Sequence, residues 1–138
     1  MEQRDYLKKQ IDQLGKVLAK ALSDLLGLKN SGQITAGLVI TNQTLKNELG
    51  FTVKDLIDTP TDIFIETLTN DKNVTHENLE ILAEILLLIA ENRQEDNKKL
   101  FEKCLMIYTY LEKTETFYSV ERHQRMTRIK HILFFEKK

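Results

Sequence analysis

The last third of this 138-residue chain contains three amphipathic helical patterns in succession, and they constrain the fold more than any other feature. They occupy residues 79–90, 100–111 and 126–133, with short polar joints between them. Apolar residues recur at intervals of three and four, which is the period of a helix that buries one face. No two-residue alternation typical of a strand interrupts the patterns. This part of the chain therefore predicts antiparallel helices packed against one another.

The first half of the chain predicts two further long helices. A narrow apolar stripe runs over residues 5–28 and ends at the turn-forming stretch 29–32. Residues 34–49 carry a second apolar face, which ends at Gly50. Threonine and β-branched residues over 35–44 make a strand a serious competitor there, because these residues are weak helix formers. The four-residue apolar spacing favours the helix.

The remaining segments carry turn and cap patterns. Thr52 and Thr59 each precede an acidic residue by three positions, a pattern typical of a capped short helix. Pro60 would then occupy the first helical position, and residues 70–73 would form a loop. The later long helices are predicted over residues 76–92, 95–113 and 119–135, with Thr75 and Ser119 as the caps of the first and the last.

Composition favours one all-α domain over residues 1–138, with five long and two short helices in stacked antiparallel pairs. One proline and five glycines leave few breakers, and 41% apolar with 30% charged residues is typical of a soluble globular protein. The richest apolar run, residues 81–90, contains Glu84 and is too short to span a membrane. The opening residues do not form a signal peptide, and a single cysteine, Cys104, allows no intrachain disulfide. We therefore expect a cytoplasmic protein.

The helix over 76–92 is predicted to be central. It is apolar on two sides, and the second face, formed by Ile81, Ile85 and Leu88, must be covered by another helix or by a second copy. Leu18, Leu86 and Ile107 are predicted core residues. They are the middle members of the apolar stripes on their respective helices.

Charge is distributed unevenly along the chain. Residues 51–97 hold eleven acidic and three basic residues, whereas residues 119–138 hold six basic and two acidic ones. The two regions could attract each other within one fold, or the basic end could bind a partner, and we favour the first.

Arg122 stands out because it shares the apolar side of the last helix with Tyr118, Met126, Ile129 and Leu133. An arginine in such a stripe either extends its charge to water or pairs with an acid. We predict an ion pair with an acid from elsewhere in the fold, and the nearest candidates are Glu80, Glu84 and Glu91. Contact with a partner is the alternative for the basic residues of this helix, namely Arg122, Arg125, Arg128 and Lys130.

Nucleic-acid binding would use the remaining basic set of the last helix, with two aromatic rings that could stack on bases. The residues are Arg128, Lys130, Lys137, Lys138, Phe134 and Phe135. The overall pI near 6.3 argues against a dedicated nucleic-acid binder.

Patterns that carry known chemistry do not emerge. His76, His123 and His131 lack the spacing of a zinc-binding helix, and the five glycines match neither a dinucleotide nor a nucleoside-triphosphate loop. Cys104 lies within an apolar stripe, where a free cysteine usually acts as a small hydrophobic residue. The acidic residues Glu77, Glu80 and Glu84 more often form a solvated face than a metal site. We predict no catalytic residue, no cofactor and no metal.

Four segments resemble a family of small bacterial proteins that share a domain of unknown function. They read Tyr-Leu-Lys-Lys-Gln-Ile at 6–11, Leu-Gly-Leu-Lys at 26–29, Leu-Gly-Phe at 49–51 and Thr-Phe-Tyr-Ser-Val-Glu-Arg at 116–122. The resemblance implies an all-helical, tetratricopeptide-like fold, a right-handed α-α superhelix, in a bacterial cytoplasm. It implies no activity and no catalytic residues. The full tetratricopeptide consensus, with its tryptophan and terminal proline, is absent from this sequence.

The function that these observations favour is a non-catalytic protein–protein interaction module. Its groove or flank would hold a segment of a protein partner or of a second copy, which makes a homodimer possible. An RNA- or ribosome-associated factor that uses the basic C-terminal helix is the alternative. An enzyme would need an acid–base pair drawn from different helices.

Overall fold

The computed structural model describes residues 2–135, with the side chains of residues 5–135. Every secondary-structure element within that range is a helix. Five long helices confirm the predicted all-α class. They are α1 (Glu2–Asn30), α2 (Ile34–Leu49), α5 (His76–Glu91), α6 (Asn97–Thr114) and α7 (Val120–Phe135), while α3 (Val53–Asp58) and α4 (Phe64–Glu66) are short. The stretch 35–44, where a strand was a competitor, lies within α2.

The ends of α2 and α3 follow local chemistry. Gly50 ends α2 in the left-handed conformation with φ 78°, which glycine adopts without steric cost. Thr52 and Asp55 form the predicted capping box: the Thr52 N–H donates to Asp55 Oδ2 at 2.8 Å, and the Asp55 N–H donates to Thr52 Oγ1 at 3.2 Å.

The cap predicted at Thr59 is wrong. The Thr59 hydroxyl donates to the Asp55 carbonyl at 2.7 Å and so belongs to the end of α3. Pro60 then precedes a 3₁₀ turn, Thr61–Ile63, and does not occupy the first position of an α-helix. A π-helical turn, Thr67–Asp71, follows α4 and includes part of the stretch predicted as a loop.

Of the starts of the last two helices, that of α6 differs from the sequence pattern and that of α7 agrees with it. Asp96 adopts a left-handed conformation with φ 55°, so α6 begins at Asn97 and not at residue 95. Ser119 caps α7 as predicted, since its hydroxyl oxygen accepts from the Arg122 N–H at 3.2 Å. Tyr118 precedes α7 and is 65% exposed, so its predicted place in the apolar stripe is wrong.

Helix α5 occupies the centre of the molecule, packing against α1 on one side and α6 on the other, while α7 packs on α6. Ile85 and Leu88 are buried and Ile81 is partly buried, so the second apolar face of α5 is covered within the fold. The predicted core residues Leu18, Leu86 and Ile107 are fully buried. The prediction of a central helix is confirmed.

A glycine, Gly15, lies where α1 meets α5. A Cβ atom at Gly15 would lie 2.9 Å from Asn78 Oδ1, which is closer than Cβ atoms pack in proteins. The Asn78 amide donates to the Ile11 carbonyl across the same contact at 3.3 Å. Gly15 therefore leaves room for the Asn78 side chain between the two helices.

Among the helices of residues 2–135, none combines the length and the apolar composition that crossing a bilayer requires.

Candidate functional site

Three arginines of α7 pair with three glutamates of α5, and we call this set the α5–α7 ladder. Arg122 reaches Glu80 at 2.6 Å, Arg125 reaches Glu84 at 3.1 Å and Arg128 reaches Glu91 at 3.0 Å. The three arginines are three residues apart, so they lie along one side of their helix. Three residues of the acidic region and three of the basic end thus pair within the fold, as the charge distribution predicted.

Arg122 is the buried member of the ladder, with only 1% of its side chain exposed. Its guanidinium donates to Glu80 and to Glu115, and Nη1 lies 3.8 Å from Glu112 Oε2. Burial opposes the charge, but the hydrogen bonds to the two carboxylates outweigh it and raise the pKa of Arg122 above its ordinary value. The predicted ion pair of Arg122 is confirmed.

The four residues predicted as partner contacts occupy different environments. Arg122 is buried, Arg125 is partly exposed, and Arg128 and Lys130 are exposed. Lys130 forms no ion pair with the residues that the structure describes. Partner contact through these side chains stays a prediction, and Lys137 and Lys138 of the predicted nucleic-acid set lie outside the described residues.

An acid–base pair from different helices does occur at the end of α6. His76 Nδ1 lies 3.5 Å from Glu115 Oε2, and His76 Nε2 lies 3.5 Å from the Thr114 hydroxyl. Both partners are already engaged: Glu115 accepts from Arg122, and the Thr114 hydroxyl donates to the Tyr110 carbonyl at 2.8 Å. The hydroxyl proton is therefore directed away from the imidazole, and the arrangement joins α5 to α6 without activating a nucleophile.

The remaining cysteine and histidine residues have environments that do not suggest catalysis. Cys104 is buried as predicted, and desolvation raises the pKa of its thiol, which keeps the thiol unreactive. His123 and His131 are exposed, and each contacts an aromatic ring, Tyr118 and Phe135 respectively. Within the described range, no cluster of three or more histidine, cysteine or acidic residues could hold a metal ion.

A long open groove with a volume of about 1080 Å³ lies over the outward face of α6, and we call it the α6 groove. Helix α6 lines it from Lys98 to Lys113. Residues 57–61 with Ile65, and Leu133 with Phe134 of α7, line the rest. Leu105, Met106 and Tyr110 give it a partly buried apolar floor, so the groove combines concave shape with apolar surface.

The charge of the α6 groove is predominantly positive. Four lysines and two acidic residues line it: Lys98, Lys99, Lys103, Lys113, Asp58 and Glu102. Asp58 already pairs with Lys54 at 3.0 Å, which leaves Glu102 as the acid of the lining without an ion pair among the described residues. This basic surface belongs to α6 and is separate from the basic C-terminal region that the sequence highlighted.

Lys103 is the least expected residue of this lining, because only 5% of it is exposed. Its ammonium donates to the Thr59 carbonyl and lies 4.7 Å from the centre of the Phe64 ring. Desolvation lowers the pKa of Lys103, and the nearby charge of Glu102 opposes this only in part. Lys103 was not predicted from the sequence, although its place three residues after Leu100 in the apolar stripe matches the pattern that identified Arg122.

A second, smaller cavity of about 630 Å³ lies beside the start of α1. Tyr6, Leu7 and Leu14 line it together with Leu49 and residues 71–73. The first turns of α1 leave Tyr6 and Leu7 exposed, so the apolar stripe predicted for this helix is buried only from its middle onward.

Comparison of the chain with protein-family models, with curated proteins and with solved structures finds no match.

Proposed function

We propose that the protein is a non-catalytic protein–protein interaction module whose α6 groove holds a helical segment of a protein partner. The observation that carries this proposal is the long apolar groove over α6, lined by four lysines. Helix-in-groove recognition uses such a surface, because an amphipathic helix covers an apolar floor with one face and keeps the other in water.

The length of the groove supports an elongated occupant. Its lining runs along α6 from Lys98 to Lys113, which spans about 22 Å at 1.5 Å per residue. An occupant helix of about four turns matches that span. A compact small molecule would use only part of it.

The floor of the groove supports a protein segment over RNA. Leu105, Met106 and Tyr110 offer apolar contacts that a phosphate backbone does not use. Of the basic residues that the RNA alternative would use, Arg128 is already engaged by Glu91 at 3.0 Å. The surface charge that remains for a nucleic acid is therefore smaller than the sequence suggests.

The stacking of the helices and the cellular compartment are part of the same proposal. Pairing of α1 with α2, of α5 with α6 and of α6 with α7 supports a tetratricopeptide-like stack, with an interaction surface as such stacks provide. Cys104, a single buried thiol, fits the reducing bacterial cytoplasm that the family resemblance implies.

Selection of displayed helical peptides on the folded protein tests the groove. Thr109 lines the groove and is partly exposed, so Thr109→Trp places a large ring in the binding path. Thr35→Trp, on the exposed face of α2, is the matched control. We expect selected peptides to bind Thr109→Trp at least about tenfold more weakly than wild type, and to bind Thr35→Trp unchanged.

Other outcomes identify other functions. Equal binding of all selected peptides to wild type and Thr109→Trp would exclude the α6 groove as the interaction site. A dimer that becomes monomeric in Thr109→Trp, measured by analytical ultracentrifugation, would make a second copy the occupant. Tight, strongly salt-dependent binding of a 20-nucleotide single-stranded RNA, unaffected by Thr109→Trp, would favour the RNA-associated alternative.

A further inference from the structure

We infer that Lys103 is the docking point for a carboxylate of the segment bound in the α6 groove, so that the partner helix is acidic as well as amphipathic. This inference rests on the proposed function. It adds the chemistry by which the partner is recognised.

The first support is the incomplete coordination of the Lys103 ammonium. An ammonium group has three N–H donors. Among the described residues, its hydrogen-bond partner is the Thr59 carbonyl, and the Phe64 ring faces it at 4.7 Å. Only 5% of Lys103 is exposed, yet no carboxylate of the described residues forms an ion pair with its ammonium. A buried ammonium of this kind is stabilised when a carboxylate forms an ion pair with it.

The same fold shows how a compensated buried cation is built. Arg122 is buried to a similar degree, and it has Glu80 and Glu115 as hydrogen-bonded partners. Lys103 is buried in the same way but has no such carboxylate partners among the described residues. It lines the open α6 groove, where a bound segment could supply a carboxylate. The lowered pKa of Lys103 agrees with a cation that lacks its counter-ion.

The surrounding charges favour the same ligand. Lys98 and Lys99 lie about one turn before Lys103 on α6, and Lys113 lies at the far end of the groove. These exposed lysines raise the local concentration of acidic segments and would repel basic ones. The apolar floor formed by Leu105 and Met106 restricts the ligand further, since a free small anion gains nothing from it. A helix that alternates apolar residues with aspartate or glutamate satisfies both features.

Peptides whose binding is weakened by Thr109→Trp provide the probe. Each is synthesised in its selected form and with every glutamate and aspartate replaced by glutamine and asparagine. Binding is measured by fluorescence anisotropy to wild type, to Lys103→Met and to Lys103→Arg. Lys16→Met, which removes an exposed lysine of α1, is the control for net charge.

We expect Lys103→Met to weaken binding of the acidic peptides by at least about tenfold, as the loss of a desolvated charge pair does. Lys103→Arg should retain part of the affinity, and Lys16→Met should change it less than about twofold, since exposed charges are screened. The amide versions of the peptides should bind wild type and Lys103→Met equally. Lys103→Met should fold, because it removes an uncompensated charge and keeps the apolar stem, and circular dichroism checks this.

The two proposals fail in different ways. Groove-dependent peptides that bind Lys103→Met as tightly as wild type, or that lack acidic residues, would overturn the docking role and leave the groove intact. Peptides that bind Thr109→Trp as tightly as wild type would overturn the α6 groove as the binding site, and with it the docking role of Lys103.

Discussion

Arg122 joins three helices through one side chain. It belongs to α7, Glu80 belongs to α5, and Glu115 follows the end of α6. We expect Arg122→Ala to lower the free energy of unfolding by about 3–5 kcal/mol, because truncation leaves two glutamates without their cation and opens a cavity. Arg128→Ala, which removes an exposed member of the ladder, should cost less than about 1 kcal/mol. Urea denaturation of both variants measures the difference.

A methionine at the same position separates charge from packing. Arg122→Met fills most of the volume but still removes the cation that pairs with Glu80 and Glu115, so its stability should lie between those of wild type and Arg122→Ala. A stability of Arg122→Met equal to wild type would mean that the ion pairs contribute nothing net.

The role of a single residue could be predicted when the pattern of its own helix made the residue conspicuous. Arg122 was identified because a charge interrupts an apolar stripe. Lys103 interrupts the stripe of α6 in the same way, but its partners Thr59 and Phe64 lie about 40 residues earlier in the chain. Only the folded chain brings that carbonyl and that ring to the ammonium.

Among the elements, α3 depends on its capping box. The Thr52 backbone N–H donates to Asp55, and this hydrogen bond lowers the pKa of Asp55 below its ordinary value. A lowered pKa in the folded state stabilises the protein above the unfolded-state pKa, and the stabilisation is lost as pH falls through the folded-state value. We therefore expect Asp55→Asn to lower Tm at about pH 7 and to differ little from wild type near about pH 2.

Scanning calorimetry at both pH values measures this effect. Asp12→Asn, on the exposed side of α1, controls for the change in net charge. A Tm deficit of Asp55→Asn that is equal at both pH values would show that the carboxylate charge does not support the cap.

Helix centres were predictable and some helix ends were not. The three- and four-residue spacing located every long helix, since it reflects which face is buried. The start of α6 depends on the left-handed conformation of Asp96, and the segment after Pro60 passes through 3₁₀, α and π geometry in turn. The spacing of apolar residues reports which helix face is buried and does not report such backbone conformations.

At the scale of the whole molecule, α5 carries the common core. Leu86 is fully buried in the middle of this helix, between α1 and α6. We expect Leu86→Ala to cost about 2–5 kcal/mol in a single cooperative transition, because the cavity lies in the core that all the long helices share. Val39→Ala, at an exposed position of α2, should change stability by less than about 0.5 kcal/mol.

Thermal melts followed at 222 nm, a wavelength that reports helix content, compare these variants. Two separate transitions in Leu86→Ala would mean that the helices do not form one cooperative unit.

The α6 groove could not be predicted from periodicity. The spacing on α6 identified its buried face, which includes Leu100, Cys104 and Ile107. Whether the opposite face is covered depends on where α3, Ile65 and the end of α7 lie, and the groove forms between them. The sequence therefore predicted the fold class and most of the core, but not the surface that we propose for binding.

The central position of α5 has a consequence for the order of synthesis. When α5 emerges from the ribosome, α1 is available to cover one of its sides, whereas α6 and α7 have not yet emerged. Residues 92–135 then need roughly 2–9 s at about 5–20 residues per second. During that interval the side of α5 that packs against α6 in the folded protein faces water on a nascent chain. We therefore expect the nascent chain to be most prone to aggregation in that interval, before α6 covers the apolar side of α5.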